Sequence, residues 1–293
     1  MKKLLSIYIV SLLCLGACND DRVNPDFSYT SLNDFYEKHR EEEQSVTIRT
    51  DTGDVPIIGK KGTELYGTRQ ILEYPNGDSV GLPWTVKLIE LYSIKDYLLY
   101  QLPSVGNSVP LQSGGIVKVT ACDSIGVELR VKANAFYQVK LSTSPTITGM
   151  GVYQGSSENG SFIDWATATD GSIISIDGNS KYDLQLATLG WQHAAQSSFG
   201  ETTNIGFTVD GSGGENIDLW LIPTDKHALF YGNNLTATNI PIGESVRIIA
   251  MALNQDDEFV VFDLTTTITA DMVIDIEFET TTEEALLTLI DTL

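Results

Sequence analysis

The sequence predicts an all-β protein of two antiparallel β-sandwich modules in tandem, with a short N-terminal helix and a C-terminal helix. Three observations support this fold class. From Ser45 onward, apolar residues recur at every second position rather than at helical spacing. The resulting strands have one polar face, which is typical of antiparallel sheets. Turn sequences rich in Gly, Asn and Asp separate them, and no long helical pattern interrupts them.

The stretch of residues 80–121 organises the first module. Its pattern predicts a strand over residues 84–92, an apolar bend over residues 95–102, a polar loop and a second strand over residues 115–121. We expect the other strands of the first module to pair with these two. Nothing in the stretch resembles an active site.

Further strands follow from the same alternation of apolar and polar side chains. The segment 73–78 is the strongest turn signal, because Asn76-Gly77 readily adopts positive φ angles. In the second half, the nearly continuous apolar runs 217–222 and 246–253 predict central strands. Three alternating strands are also predicted, at residues 127–131, 137–141 and 272–278.

A short helix is predicted near the N-terminus. Ser31 lies three residues before Asp34, the spacing of a capping box. The helix has one narrow apolar stripe, formed by Leu32, Phe35, Tyr36 and His39. We expect it to belong to a tether over residues 18–44 and to pack on the first module.

A second helix is predicted at the C-terminus. Thr281 has the position of an N-cap, with Glu284 three residues later. The helix has a buried stripe formed by Leu286, Leu289, Ile290 and Leu293. We expect this helix to cover the second sandwich.

Residues 1–17 have the pattern of a secretory signal peptide. Lys2 and Lys3 precede an apolar segment that is too short to span a membrane stably. The segment ends in Leu15-Gly16-Ala17-Cys18, which resembles the bacterial lipobox. This resemblance implies that Cys18 becomes the lipidated first residue of the mature chain and anchors it to a membrane. The alternative is an ordinary signal peptide whose Cys is incidental.

The charge of the chain excludes two classes of partner. The formal net charge is −21, and it becomes −23 once Lys2 and Lys3 leave with the signal peptide. From Glu201 onward, seventeen acidic residues accompany only Lys226 and Arg247. Such a field repels nucleic acid and anionic lipid, so we expect neither as a partner.

Six short motifs are distributed over the predicted strands: Gly62-Thr63-Glu64-Leu65, Gly81 with residues 86–92, residues 111–115, residues 151–155, Trp165 and Leu189-Gly190-Trp191. Together they resemble uncharacterised surface lipoproteins of the Bacteroidota. The resemblance implies a first domain similar to the β-sandwich shared by zona occludens, netrin-receptor and ankyrin proteins. It implies a second domain similar to the regulatory modules of carboxypeptidases. The family usually continues after the Trp with an Asn and an Asp, where this chain has Gln192 and His193.

The resemblance also gives domain limits and a location. We expect a first sandwich at residues 45–192, a junction, and a second, smaller sandwich with its helix at residues 203–293. Asp20 and Asp21 follow the lipidated Cys, and acidic residues there resemble the export signal of Bacteroidota lipoproteins. This implies an outer-membrane protein that faces the cell exterior. The alternative is that these acids only solvate the tether.

A serine nucleophile is the first catalytic candidate to consider. Gly77-Asp78-Ser79 has the sequence that introduces the nucleophile in one esterase family. A serine nucleophile needs a His within hydrogen-bond reach and a group that orients it. No Asp-x-x-His pattern accompanies His193 or His227, and Gly77 lies in a predicted turn of a β module. We therefore predict no catalytic residues and no enzyme activity.

No metal site or cofactor is predicted. Three scattered His residues and an isolated Cys122 do not have the spacing of a zinc site. Acids in two predicted loops, at residues 256–258 and at Asp210 with Glu215, leave weak calcium binding open, although neither loop has the EF-hand spacing. Cys122 ends an apolar strand and is expected to be a small buried hydrophobe.

Aromatic residues allow a carbohydrate-binding face as an alternative to core packing. We expect core packing for most of the four Trp residues, which are Trp84, Trp165, Trp191 and Trp220. The leading hypothesis is a non-enzymatic cell-surface lipoprotein with a structural or adhesive role, whose partners are the membrane and other surface proteins or glycans. The alternative is a component that binds a glycan or peptide beside an outer-membrane transporter.

Overall fold

The computed structural model describes residues 29–51, 55–143, 145–156, 164–178, 181–209 and 216–293. Within these ranges the fold is all-β, as the sequence predicts, with many strands and three short α-helices. The helices are α1 (Leu32–His39), α2 (Ile94–Leu99) and α3 (Glu283–Ile290), and a 3₁₀ turn spans Arg69–Ile71.

The described strands divide into those of the first half and those of the second. The first-half strands are β1 (Gln44–Ile48), β2 (Ile57–Ile58), β3 (Glu64–Tyr66), β4 (Leu72–Glu73), β5 (Trp84–Leu91), β6 (Val105–Gly106), β7 (Val109–Pro110), β8 (Gln112–Asp123), β9 (Arg130–Val131), β10 (Tyr137–Leu141), β11 (Gly151–Ser156), β12 (Asp164–Thr167), β13 (Ile173–Ile176), β14 (Tyr182–Leu186) and β15 (Gly190–Gln196). The second-half strands are β16 (Thr202–Val209), β17 (Asp218–Pro223), β18 (Phe230–Asn233), β19 (Thr236–Pro241), β20 (Ser245–Leu253), β21 (Phe259–Thr267), β22 (Val273–Ile276) and β23 (Glu279–Thr281).

The first half is a sandwich of two antiparallel sheets. A six-stranded sheet has the order β1-β5-β8-β15-β11-β12, and a five-stranded sheet has the order β13-β14-β10-β3-β2. Strand β10 shows the predicted alternation, with Tyr137, Val139 and Leu141 buried. These side chains share one core with Val86 and Val119 of the six-stranded sheet. Burial of this apolar surface is the main stabilising contribution to the sandwich.

The second half is built from one sheet with the order β22-β16-β19-β18-β17-β20-β21-β23. One face closes on itself as a curled half-barrel around a core that includes Phe207, Leu221 and Ile248. Strands β17 and β20 lie at the centre of the sheet, as their apolar runs predict. Strand β22 pairs with β16 in parallel, whereas the other pairings among the described strands are antiparallel.

A third cluster of buried side chains joins the two halves, and we call it the shared cluster. It contains residues of α1, α2 and α3, of the six-stranded sheet, and of the outer face of β17, β20 and β21. Its buried members are Tyr29, Leu32, Phe35, Tyr36, Ile89, Leu91, Ile94, Tyr97, Leu98, Leu99, Leu102, Leu111, Ile116, Trp165, Ala195, Trp220, Ile222, Leu229, Ile249, Met251, Phe259, Leu286 and Ile290. The three helices therefore fill the space between the two halves.

Backbone hydrogen bonds also cross between the halves. The N–H of Ser104 donates to the carbonyl of Leu229 at 2.6 Å, and the N–H of Ser113 donates to the carbonyl of His227 at 2.7 Å. Both bonds connect the segment around β6–β8 to the loop before β18. They fix the relative position of the halves in addition to the apolar contacts.

Three local predictions need correction. The expected apolar bend at residues 95–102 is instead the helix α2, which begins at the capping box of Ser93 and Asp96. The N-cap of α3 is Thr282 rather than Thr281, and its hydroxyl accepts the N–H of Ala285. The strand expected at residues 127–131 is reduced to the two residues of β9. Ile125 and Val127 belong to a turn instead, in which Asp123 accepts their N–H groups.

The position of α1 also differs from the prediction. Its capping box forms as predicted, and Leu32, Phe35 and Tyr36 of its stripe are buried, whereas His39 is half-buried. However, α1 packs on both halves: it contacts α2 of the first half as predicted, and its Phe35 and Tyr36 contact Phe259 and Trp220 of the second half. The sequence shows which face of a helix is apolar, but not which of two apolar surfaces covers it.

The junction between the halves is short. Strand β15 of the first sandwich continues to Gln196, and β16 begins at Thr202. The predicted limit at residue 192 thus lies inside β15. Among the described helices, the longest have eight residues, and none is long and apolar enough to cross a membrane.

Candidate functional site

The residues predicted to carry anchoring and export, Cys18, Asp20 and Asp21, lie outside the described residues. The same holds for Asp210 and Glu215, which formed one of the two acidic loops considered for calcium. Their roles stay predictions from the sequence.

Ser79, the nucleophile considered from the sequence, is an exposed residue of a turn. Gly77 has φ +89° there, and its N–H donates to the carbonyl of Tyr74 at 2.8 Å, so the Asn-Gly turn forms as predicted. Ser79 pairs with Glu73 in an isolated bridge. Within the described ranges, no His forms a hydrogen bond with Ser79.

A different Ser–His pair occurs where the two halves meet. The Oγ of Ser113, on β8, lies 2.9 Å from Nε2 of His193 on the neighbouring strand β15. The same Oγ lies 2.7 Å from the hydroxyl of Tyr97 and accepts the N–H of Gly115 at 3.0 Å. His227 lies next to this group, with its ring 5.1 Å from that of Tyr97.

The environment of this pair is unsuitable for hydrolysis. Ser113 is 2% exposed and His193 is fully buried, so a substrate cannot reach the hydroxyl. Burial, with a smaller effect from nearby His227, lowers the pKa of His193 to about 3, which keeps the ring neutral. Its Nδ1 has no hydrogen-bond partner in the described structure, whereas a catalytic His needs an orienting group at that atom. The pair is a polar contact inside the interface.

Metal coordination finds no support in the described ranges. They contain no group of three or more His, Cys, Asp or Glu side chains that could hold a metal ion. Cys122 is free and half-buried at the end of β8, rather than fully buried as expected. The acidic loop at residues 256–258 is a turn organised by Asn254, whose side chain accepts the N–H groups of Asp256 and Glu258.

The Trp residues mostly lie in the cores, as predicted. Trp84, Trp165 and Trp220 are fully buried. Trp191 is half-buried, and it packs against the ring of Tyr100 and the ammonium of Lys118. Among the described residues, no Trp or Tyr belongs to the exposed class. An exposed platform of several rings is therefore not present in this part of the chain.

A concave surface lies between α1 and the second half, and we call it the polar cleft. It has a volume of about 500 Å³, within the range of small-molecule sites. It is lined by Thr30, Ser31, Leu32, Asn33, Gln101, Asn216, Ile217, Asp218, Tyr231, Asn233, Asn234, Leu235 and Leu253. The start of α1 forms one wall, and β17, β18 and β20 form the other.

A buried network supports the inner wall of the polar cleft. The hydroxyl of Tyr36 donates to Oδ2 of Asp218 at 2.7 Å and accepts the indole N–H of Trp220 at 3.2 Å. The hydroxyl of Tyr231 lies 3.4 Å from Oδ1 of the same carboxylate. Burial raises the pKa of Asp218, and the two tyrosine hydrogen bonds partly oppose this. The network fixes the carboxylate in one orientation at the cleft.

Side-chain amides are the most numerous polar groups of the cleft, beside the hydroxyls of Thr30, Ser31 and Tyr231. Five of them line it, namely Asn33, Gln101, Asn216, Asn233 and Asn234. None of these side chains has a hydrogen-bond partner among the described residues. Each amide offers two donors and one acceptor with two lone pairs. The cleft therefore presents many donors and acceptors with a single charged group.

A second cleft, of about 440 Å³, lies beside His227 and the end of α3. It contains two cationic side chains, but each already has an anionic partner. Lys226 lies 2.6 Å from Glu244, and Arg247 forms a bidentate pair with Asp263 at 2.8 and 2.9 Å. Since these charges are compensated, the second cleft is a weaker candidate than the polar cleft.

Sequence reasoning did not find the polar cleft. Its residues come from six separate segments, between Thr30 and Leu253, and no short motif connects them. The sequence near the cleft residues shows only ordinary polar positions. The Asn233-Asn234 pair marks a turn, and Asn33 lies on the polar side of α1. The cleft forms where α1 meets the second half, and the prediction included only the contact of α1 with the first half.

Comparison with known proteins gives no further guide to the site, since no family model, no curated protein and no solved structure matches the chain.

Proposed function

We propose that this chain is a non-enzymatic, lipid-anchored protein of the outer membrane that faces the cell exterior and has a structural or adhesive role. The observation that carries this proposal is the shared cluster. It holds the two halves and all three described helices in one unit, and the Ser113–His193 pair lies buried beside it. Rigid tandem β modules are suited to present a surface at a distance from a membrane.

The proposed anchor rests on the N-terminal sequence pattern, in which Cys18 is the lipidated residue and Asp20 and Asp21 are the export signal. Tyr29 is already part of the folded unit, since its ring contacts Phe259 and its hydroxyl bonds to Glu283. Ten residues separate Cys18 from Tyr29. Such a length spans at most roughly 35 Å, so the second half would be held close to the membrane and the first half further out.

Fractionation and protease treatment of cells test the anchor and the location. We expect Cys18→Ala to release the protein from the membrane fraction, because a multiply acylated Cys is the only stable anchor proposed. The matched control is Cys122→Ala, which should leave the protein in the membrane. Replacing Asp20 and Asp21 by Ala should retain the protein in the membrane but protect it from protease added to intact cells. Full protection of the wild-type protein in intact cells, with digestion after lysis, would contradict an exterior location.

A second candidate function is ligand binding beside an outer-membrane transporter. One observation favours it, namely the polar cleft with its five amides that lack internal partners. Asn33, Asn216, Asn233 and Asn234 are exposed and Gln101 is half-buried, so water can solvate these amides in the empty cleft, and a polar ligand can replace that water with its own hydrogen bonds.

A further inference from the structure

We propose that the polar cleft binds a neutral saccharide. This inference deepens the ligand-binding candidate given above, and it does not depend on the lipid anchor. It is carried by the combination of amide groups, one fixed carboxylate and an apolar wall around a cleft of about 500 Å³.

The amides match the hydroxyl groups of a sugar ring. Neighbouring hydroxyls each donate one hydrogen bond and accept others, and a side-chain amide can satisfy both roles at once. Asn33 on α1 and Asn216 before β17 line the cleft together, and both are exposed. A ligand seated in the cleft can therefore exchange its hydrogen bonds with water for bonds to these groups.

The charges disfavour anions and divalent cations as ligands. No Lys, Arg or His lines the polar cleft, and its one carboxylate, Asp218, disfavours phosphate and other anions. A divalent cation prefers several carboxylate ligands, whereas here there is one, and it is occupied by the hydroxyls of Tyr36 and Tyr231. The remaining oxygen lone pairs of Asp218 can accept hydrogen bonds from sugar hydroxyls.

The apolar part of the lining also suits a sugar. The half-buried ring of Tyr231 lines the cleft and packs against Trp220 with 5.0 Å between ring centroids, which fixes its orientation. Saccharides have C–H faces that pack against aromatic rings, while their hydroxyls point to the sides. Leu253 and Ile217 extend this apolar surface.

A peptide is less compatible with the cleft. Peptides that bind to sheets add a strand at an open edge, and they use main-chain hydrogen bonds for affinity. Strands β17 and β18 at the cleft are paired on both sides within the sheet, so they offer no such edge. Peptide binding is therefore one of the outcomes that the experiment below separates.

The test is an array of neutral oligosaccharides of glucose, galactose, mannose and xylose, probed with the full chain purified in detergent. Titration calorimetry follows with the strongest binder and, as separate probes, with an unstructured peptide and with calcium chloride. We expect binding that falls at least tenfold in Asn33→Ala combined with Asn216→Ala. Both positions are exposed, so this variant should retain its thermal midpoint. Asp218→Asn keeps the volume of the side chain and should also weaken binding. The matched control is Gln185→Ala, an exposed amide on the far five-stranded sheet, which should bind as the wild type does.

Each result decides the question. Loss of binding in the two cleft variants, with the control unchanged, supports the inference. Absence of binding to every neutral saccharide at millimolar concentration overturns it. Saccharide binding that persists in the cleft variants also overturns the inference. So does binding of an unstructured peptide or of calcium without binding of any saccharide. Since the experiment uses purified protein, these results do not affect the proposed location, which the cell fractionation tests separately.

Discussion

The hydroxyl of Tyr29 donates a hydrogen bond to Oε1 of Glu283 at 2.6 Å, across 254 residues of sequence. Lys38 and His39 reach the same oxygen at 2.9 and 2.8 Å. Glu283 is the first residue of α3, where the helix N-terminus also favours a negative charge. The start of the described chain and its last helix are thus tied together by one carboxylate.

This tie predicts the effect of Glu283→Gln. Partial burial raises the pKa of Glu283, but the hydrogen bonds from Tyr29, Lys38 and His39 outweigh it and lower the pKa to about 2. A carboxylate with a lowered pKa stabilises the fold above its unfolded pKa and loses this contribution as the pH falls toward 2. After allowance for solvent screening, the variant should lose about 1 kcal/mol at pH 7.

Urea unfolding at pH 7 and pH 3 checks this prediction. The difference between the wild type and Glu283→Gln should shrink at pH 3, because the unfolded chain binds a proton there that the folded Glu283 still lacks. Glu284→Gln is the matched control, since Glu284 is the next residue and is exposed. An equal loss of stability in both variants would indicate a general charge effect rather than the tie to α1.

Phe35→Ala tests the attachment of α1 to the second half. Phe35 is fully buried, and its ring lies 5.3 Å from that of Phe259. Removing a fully buried Phe leaves a cavity and costs about 3–5 kcal/mol. Phe136→Ala is the control, because Phe136 is 41% exposed on the first sandwich. Thermal unfolding of the two variants should differ clearly, and a similar midpoint for both would mean that α1 is not packed as described.

Stability should also fall on mild acidification because of His193. Its pKa in the folded chain is about 3, below the ordinary value of 6.5, so the unfolded chain binds a proton that the folded chain does not. The free energy of unfolding should therefore decrease as the pH falls from 6.5 toward 3, by at most about 1.4 kcal/mol per pH unit for this group. Burial lowers the pKa of His227 in the same direction.

The variant His193→Gln isolates this contribution. Gln cannot take up the proton, so its free energy of unfolding should depend less on pH than that of the wild type between pH 6.5 and 4. Chemical unfolding at several pH values measures both slopes. Identical slopes would show that His193 is not buried as a neutral ring.

Two serine variants separate the structural role of Ser113 from the exposed Ser79. Ser113→Ala removes the partner of His193, Tyr97 and the N–H of Gly115, so it should cost about 1–3 kcal/mol. Ser79→Ala should change stability by less than about 0.5 kcal/mol, as is usual for exposed sites. Assays with short-chain esters accompany the unfolding measurements. Ester hydrolysis that disappears in Ser79→Ala, with the fold intact, would overturn the non-enzymatic proposal.

The sequence predicted these strands because the alternation that marks a strand lies within a few consecutive residues. The alternation at residues 137–141 and the continuous runs of β17 and β20 each report burial of one or both faces of a strand, and the structure confirms them. The capping box of Ser31 and Asp34 also specifies a helix start within four residues. Such features depend on neighbours in sequence.

The helix contacts and the polar cleft could not be predicted in this way. The apolar stripe of α1 fits any apolar surface, and the choice of the second half depends on Phe259 and Trp220, more than 180 residues away. The sequence around residues 95–102 was too short to distinguish a bend from the buried helix α2. Likewise, Ser113 and His193 come together only through the pairing of β8 with β15.

Calorimetric unfolding tests most directly whether the two halves form one unit through the shared cluster. For the chain from residue 19 onward, we expect a single transition whose calorimetric enthalpy equals its van't Hoff enthalpy, because α1, α2 and α3 pack on both halves. Phe35→Ala should lower the midpoint of that single transition. Two separate transitions in the wild type, of which Phe35→Ala shifts only one, would contradict a single folding unit. They would show that the sandwiches fold independently.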